Sequence, residues 1–121
     1  MCEEYTSLVT AAKALTQGEE PNTVTLPMAE DEWNTRPETV SYGTIQLDFE
    51  TDALTGDDRK HLTAYEGSLD LYSLERSGAG WVQKICDLLT EHCGAHWSLN
   101  LHMYERDTGL FHWEFVFQVE G

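Results

Sequence analysis

Basic residues are what this chain has least of. Seven lysines and arginines stand against 22 aspartates and glutamates, a formal net charge of -15 at pH 7. A surface that negative repels phosphate backbones and excludes a conventional nucleic-acid grip. It suits a solubilising exterior, an imitation of DNA, or the lining of a passage to which DNA must not adhere. No run of about 18 apolar residues occurs, so no membrane-spanning helix is expected. The start, "MCEEYTSL", has no basic stretch before an apolar one, and no secretory signal is expected there. Cys2, Cys86 and Cys93 are odd in number and unevenly spaced, which argues against a disulfide scaffold and for reduced thiols in a cytosolic compartment. Cys93 and His96 form a C-x-x-H pair beside His92, but a closed zinc site needs about four ligands and no second pair accompanies them. A half-buried thiol at a helix end is the preferred reading. G-x-S-x-G, H-E-x-x-H, a P-loop and a reactive Cys-His signature are all missing. No catalytic, cofactor-binding or metal-binding residue is therefore assigned.

What is present is core material. With 40% hydrophobic and 11% aromatic residues, a chain of 121 residues has enough for one folded domain spanning 1–121. In "YTSLVTAAKALTQGEE", Leu8, Ala11, Ala12 and Leu15 recur at helical spacing, with Thr6 or Ser7 as N-cap and Gly18 as stop. All three prolines fall in the next stretch, 21–40, leaving room for a brief edge strand near Thr23 to Leu26 and then an acidic loop. "SYGTIQLDFETD" alternates, with Ile45, Leu47 and Phe49 opposed to Thr44, Gln46, Asp48 and Glu50. "EGSLDLYSL" repeats the pattern, and the charged segment 51–65 between the two reads as a protruding loop. Trp81, Ile85, Leu88, Leu89 and His92 form the apolar stripe of a second helix that ends at Gly94. Two strands follow, Trp97 to Tyr104 and Leu110 to Val119. The order predicts an α+β fold, an antiparallel sheet of four to five strands with two helices on one face.

The last two strands suggest their own register. A turn over "ERDTG", with Gly109 left-handed, sets Leu101 against Trp113, Met103 against Phe111, Leu99 against Phe115 and Trp97 against Phe117. The same register opposes His102 to His112 and Asn100 to Glu114. A metal or catalytic patch on that face needs further ligands and an enclosing pocket, so a polar outer face or a pH-sensitive subunit contact is preferred. Asp48, Glu50 and Asp52 have the spacing of half a calcium loop. Ala53 stands where that loop needs glycine, however, and alternate acids in a strand simply share one face.

The stretch from "YGTIQLDFETDALTGDDRKHLTAYEGSLDLYS" to "HWSLNLHMYERDTGLFHWEFVFQ", about residues 40 to 118, resembles tail terminator (tail-completion) proteins of Gram-positive siphophages and prophages. The resemblance implies a structural protein without enzymatic activity. It would form a ring, usually of six subunits, that caps the tail tube and joins it to head–tail connector proteins. It would be found in the host cytoplasm during assembly and then in the virion tail. The resemblance transfers no individual residue. The long charged segments suggest the interface candidates: Trp33 and Arg36 in the first, and Asp52, Asp57, Asp58, Arg59 and His61 in the second. His102, His112 and Glu114 complete the set from the last hairpin. Two rival readings remain: an acidic DNA mimic that binds a protein, and a small metal-dependent hydrolase using His102, His112 and Glu114.

Overall fold

The structure, a computed structural model, describes residues 3–19, 21–33, 35–53 and 62–120. Helix α1 spans Glu3–Lys13. It begins earlier than the Thr6 or Ser7 caps suggest, and Thr6 lies inside it, its carbonyl accepting from the Thr10 hydroxyl at 3.0 Å. The helix also ends before Gly18, which turns the chain between β1 (Thr16–Gln17) and β2 (Val24–Thr25), a small antiparallel pair. Next, β3 (Met28–Glu30) joins the main sheet parallel to β4 (Ser41–Ala53). The sheet is thus mixed, because a three-residue strand returning through the 31–40 segment enters beside β4 in the same direction.

β4 pairs antiparallel with β5 (Leu62–Ser73). Both strands run further than their alternation indicates, so the segment read as a loop over 51–65 is strand at both ends. A 3-10 turn, Gly78–Gly80, leads into α2 (Trp81–Cys93). Gly94 closes that helix as expected, its N–H donating to the Thr90 carbonyl at 3.0 Å. β6 (Trp97–Glu105) and β7 (Leu110–Glu120) complete a five-stranded sheet ordered β3-β4-β5-β7-β6. The expected α+β class is what the chain adopts.

The core lies between the helices and one face of the sheet. Ile45, Leu69, Leu71, Trp113, Phe115 and Phe117 meet Leu8 and Ala12 of α1 and Trp81, Ile85, Leu88 and Leu89 of α2, all buried. The α2 stripe recurs at one and two turns, so one side of the helix covers the sheet continuously. Strand β5 approaches so closely at Gly67 that a Cβ there would strike the Gln46 carbonyl oxygen and lie 2.7 Å from a ring carbon of Phe117. Gly67→Ala is expected to cost about 1–3 kcal/mol in stability, the usual range for overpacking, read as a lowered urea midpoint with unchanged slope.

The terminal hairpin departs from the register suggested by its apolar residues. Trp97 meets Phe117 and Leu99 meets Phe115 as expected, but a bulge at Asn100 shifts everything beyond it by one. Leu101 then opposes Glu114, His102 opposes Trp113, Met103 opposes His112 and Tyr104 opposes Phe111. The expected His102–His112 pair does not exist. The physical reason lies on the helix side, where Trp113 is buried and its ring takes the flat face of His102, centroids 4.5 Å apart. Leu99 and Met103, expected in the core, are 47% and 44% exposed, and Leu101 is half-buried. Trp97 and Phe111 only flank the core. A second bulge, at Asp48, shifts the pairing of β4 with β5 between Leu47 and Phe49.

Candidate functional site

The sheet face away from the helices is open, and its centre is built around His112. The Asn100 bulge moves Glu105 onto this face, where without it Glu105 would share the helix side with Trp97. Pairing of β5 with β7 brings Asp70 beside Glu114 and Tyr72 beside His112. His112 Nε2 lies 2.7 Å from Asp70 Oδ1, and Nδ1 lies 3.0 Å from Glu105 Oε2. Each carboxylate can only accept, so a doubly protonated ring donating from both nitrogens satisfies both contacts. Burial by itself would push the imidazolium to lose its proton. The hydrogen bonds and negative charges of Asp70 and Glu105 outweigh that and hold its pKa above the ordinary 6.5. Asp70 and His112 are buried and Glu105 is half-buried.

An aromatic ladder runs from this ring across the sheet. The Tyr72 ring stacks on His112 with centroids 4.3 Å apart, and Tyr42 stacks on Tyr72 at 5.0 Å. Trp33 meets Tyr42 edge-on at 6.3 Å and is pinned by its indole N–H donating to the Gly43 carbonyl at 2.9 Å. The Arg36 guanidinium sits 6.0 Å from the Tyr42 ring centre. Burial, with Asp70 next, raises the pKa of the Tyr72 hydroxyl. Burial also raises that of Tyr42, against the opposing charge of Arg36. Both phenols are neutral under ordinary conditions, which suits them to stacking and not to nucleophilic work.

Segment 31–40 rises along the β4 side of this face, held by the Asp31 N–H donating to the Ile45 carbonyl at 2.8 Å. Together they enclose an open cavity of about 550 Å³. Its lining includes Trp33, Arg36, His112 and Glu114, four of the interface candidates, with Asp31, Glu32, Asp70 and Glu105. Glu114 is half-buried and accepts from Asn100 Nδ2 at 2.6 Å. His102 stands apart, on the helix side of the sheet over Trp113, so His102, His112 and Glu114 do not converge. The backbone of Asp52 pairs with Thr63, while Asp57, Asp58, Arg59 and His61 lie outside the described residues.

The arrangement limits the chemistry. While doubly protonated and donating to both carboxylates, His112 has no lone pair with which to bind a metal or take a substrate proton. Among the described residues no group of three or more His, Cys, Asp or Glu is placed to hold a metal ion. Cys93 is buried and His96 exposed; burial, then the charge of Glu4, pushes the Cys93 thiol up to about 11, the opposite of an activated thiolate. No helix among the described residues is long and apolar enough to cross a membrane.

Sequence reasoning missed Tyr42, Asp70, Tyr72 and Glu105. The alternation of "SLDLYS" already placed Asp70 and Tyr72 on one face, but nothing local says that β5 neighbours β7 instead of β6. No family model matches the chain, and no curated protein matches it.

Proposed function

We propose that this chain is a non-enzymatic structural subunit of a phage or prophage tail, a tail terminator that forms a ring, caps the tube and meets the head–tail connector. The observation that carries the reading is the state of the titratable cluster conspicuous among the described residues. Asp70 holds one ring nitrogen of His112 and Glu105 the other, which supports reading the cluster as a strut inside the sheet and not as a reaction centre. What the fold leaves for partners is surface: an uncovered sheet face, an edge strand with Leu99, Met103 and Tyr104 exposed, and the acidic 31–40 segment. Strongly negative charge suits a ring through which DNA must pass without adhering.

The bulge at Asn100 sharpens how neighbours would meet. It interrupts the outer edge of β6, a device that discourages simple strand-to-strand addition. Neighbouring copies would then pack through side chains around the rim of the sheet, in the closed cyclic arrangement expected of a ring. Its partners would be further copies of itself, the tail tube protein and connector proteins, first in the host cytoplasm and then in the virion tail. Native mass spectrometry of the purified chain, alone and mixed with tube protein, tests this. A closed ring in either sample is the expected result, and a strict monomer in both overturns it.

A further inference from the structure

We propose that the open sheet face is a docking surface for an arginine-bearing basic segment of a partner protein. The helices cover the other side of the sheet, and the cavity beneath the 31–40 segment opens to solvent. Five carboxylates line it against two cations, Arg36 and the His112 imidazolium. His112 is already consumed by Asp70 and Glu105. Among the described residues no cationic side chain forms an ion pair with Asp31, Glu32 or Glu114. The charge complement is therefore a cation from outside.

Two features of the face point to a guanidinium as that cation. Tyr72 is stacked between Tyr42 and His112, and at the outer end of that ladder the chain's own Arg36 lies against the Tyr42 ring, so the wall of the cavity already accommodates one guanidinium. Guanidinium groups stack on aromatic faces and shed water more readily than the ammonium of lysine does. Beside the cavity, the Asn100 bulge turns Leu101 and the exposed Met103 onto the same face, giving an apolar shoulder for residues flanking the arginine. Unbranched methionine adapts readily to different partners. The inference stands apart from ring formation, since a monomer presents the same face.

The test uses the full chain and a capped pentapeptide alternating arginine with leucine, at about 0.15 M salt so that charges beyond about 8 Å are screened. The site variant carries Asp31→Asn and Glu114→Gln; asparagine tolerates the left-handed backbone at Asp31, whose φ is 73°. A control variant, Glu75→Gln with Glu91→Gln, loses the same charge from exposed positions elsewhere. Thermal melts first establish that both are folded. Nuclear magnetic resonance shifts confined to the Trp33 indole N–H, Tyr42, Tyr72 and Met103 are expected. Affinity should weaken by about tenfold in the site variant and less than about twofold in the control. Equal losses in both variants would reduce the attraction to overall charge and overturn the proposal. So would shifts centred on the helix side, or tighter binding of a short duplex DNA than of the peptide.

Discussion

Replacing Asp70 by alanine is expected to destabilise the protein by about 3 kcal/mol, the lower end for removing one partner of a buried ion pair. The buried imidazolium loses its 2.7 Å acceptor on β5 and keeps only Glu105, which is more exposed and 3.0 Å away. Glu105→Gln should cost about 1 kcal/mol, the net worth of an ordinary hydrogen bond. A double variant, Asp70→Ala with His112→Leu, removes the unpaired charge altogether and should recover part of the loss. Urea unfolding of these variants together with His112→Leu alone, which completes a double-mutant cycle for the Asp70–His112 pair, checks all three. A single Asp70→Ala variant as stable as the parent would mean that the clamp contributes nothing.

The same clamp sets a pH dependence whose sign follows from the raised pKa of His112. In the unfolded chain the ring releases its proton near the ordinary 6.5, whereas in the folded protein it keeps the proton to higher pH. Between those two values the folded state binds more protons, so stability falls as pH rises. The contribution is fully present below about 6.5 and is lost as pH climbs through the folded value. Above it, a neutral ring can donate from only one nitrogen, and the weaker contact, to Glu105, should open first. Urea midpoints measured from pH 6 upward should decline in the parent chain, with that slope absent from the double variant.

How much of this was legible beforehand differs by element. The α2 stripe of Trp81, Ile85, Leu88 and Leu89 was readable because helical spacing and a terminal glycine are local signals. The strands were readable too, since Ile45, Leu69 and Leu71 alternate with polar residues. The bulge at Asn100 was not. Trp97, Leu99, Leu101 and Met103 form an unbroken apolar series at every second position, so a period of two runs through the bulge without showing it. Only the demand that Trp113 and Phe115 face the helices, while Glu105 reaches His112, decides where the extra residue goes. The parallel entry of β3 was hidden for a related reason: three residues are too few to show a period. The Asp70–His112 contact joins residues 42 apart in the chain through a strand order that no single segment encodes.

That hairpin yields the second large effect, and it separates the two registers cleanly. Phe115 is fully buried between the sheet and the helices, and truncation to alanine should cost about 3–5 kcal/mol, transfer and cavity terms together. Met103 has the same apolar character and belongs to the same alternating series, yet the bulge turns it to the open face, where it is 44% exposed. Met103→Ala should therefore cost no more than about 0.5 kcal/mol, as for surface substitutions generally. In the unbulged register Met103 would lie against Phe111 inside the core, and its truncation would cost about 2–5 kcal/mol. Urea midpoints of the two single variants decide the matter: a Met103→Ala loss comparable to that of Phe115→Ala would require the bulge to be absent. Without it, Glu105 would return to the helix side and His112 would lose its second carboxylate.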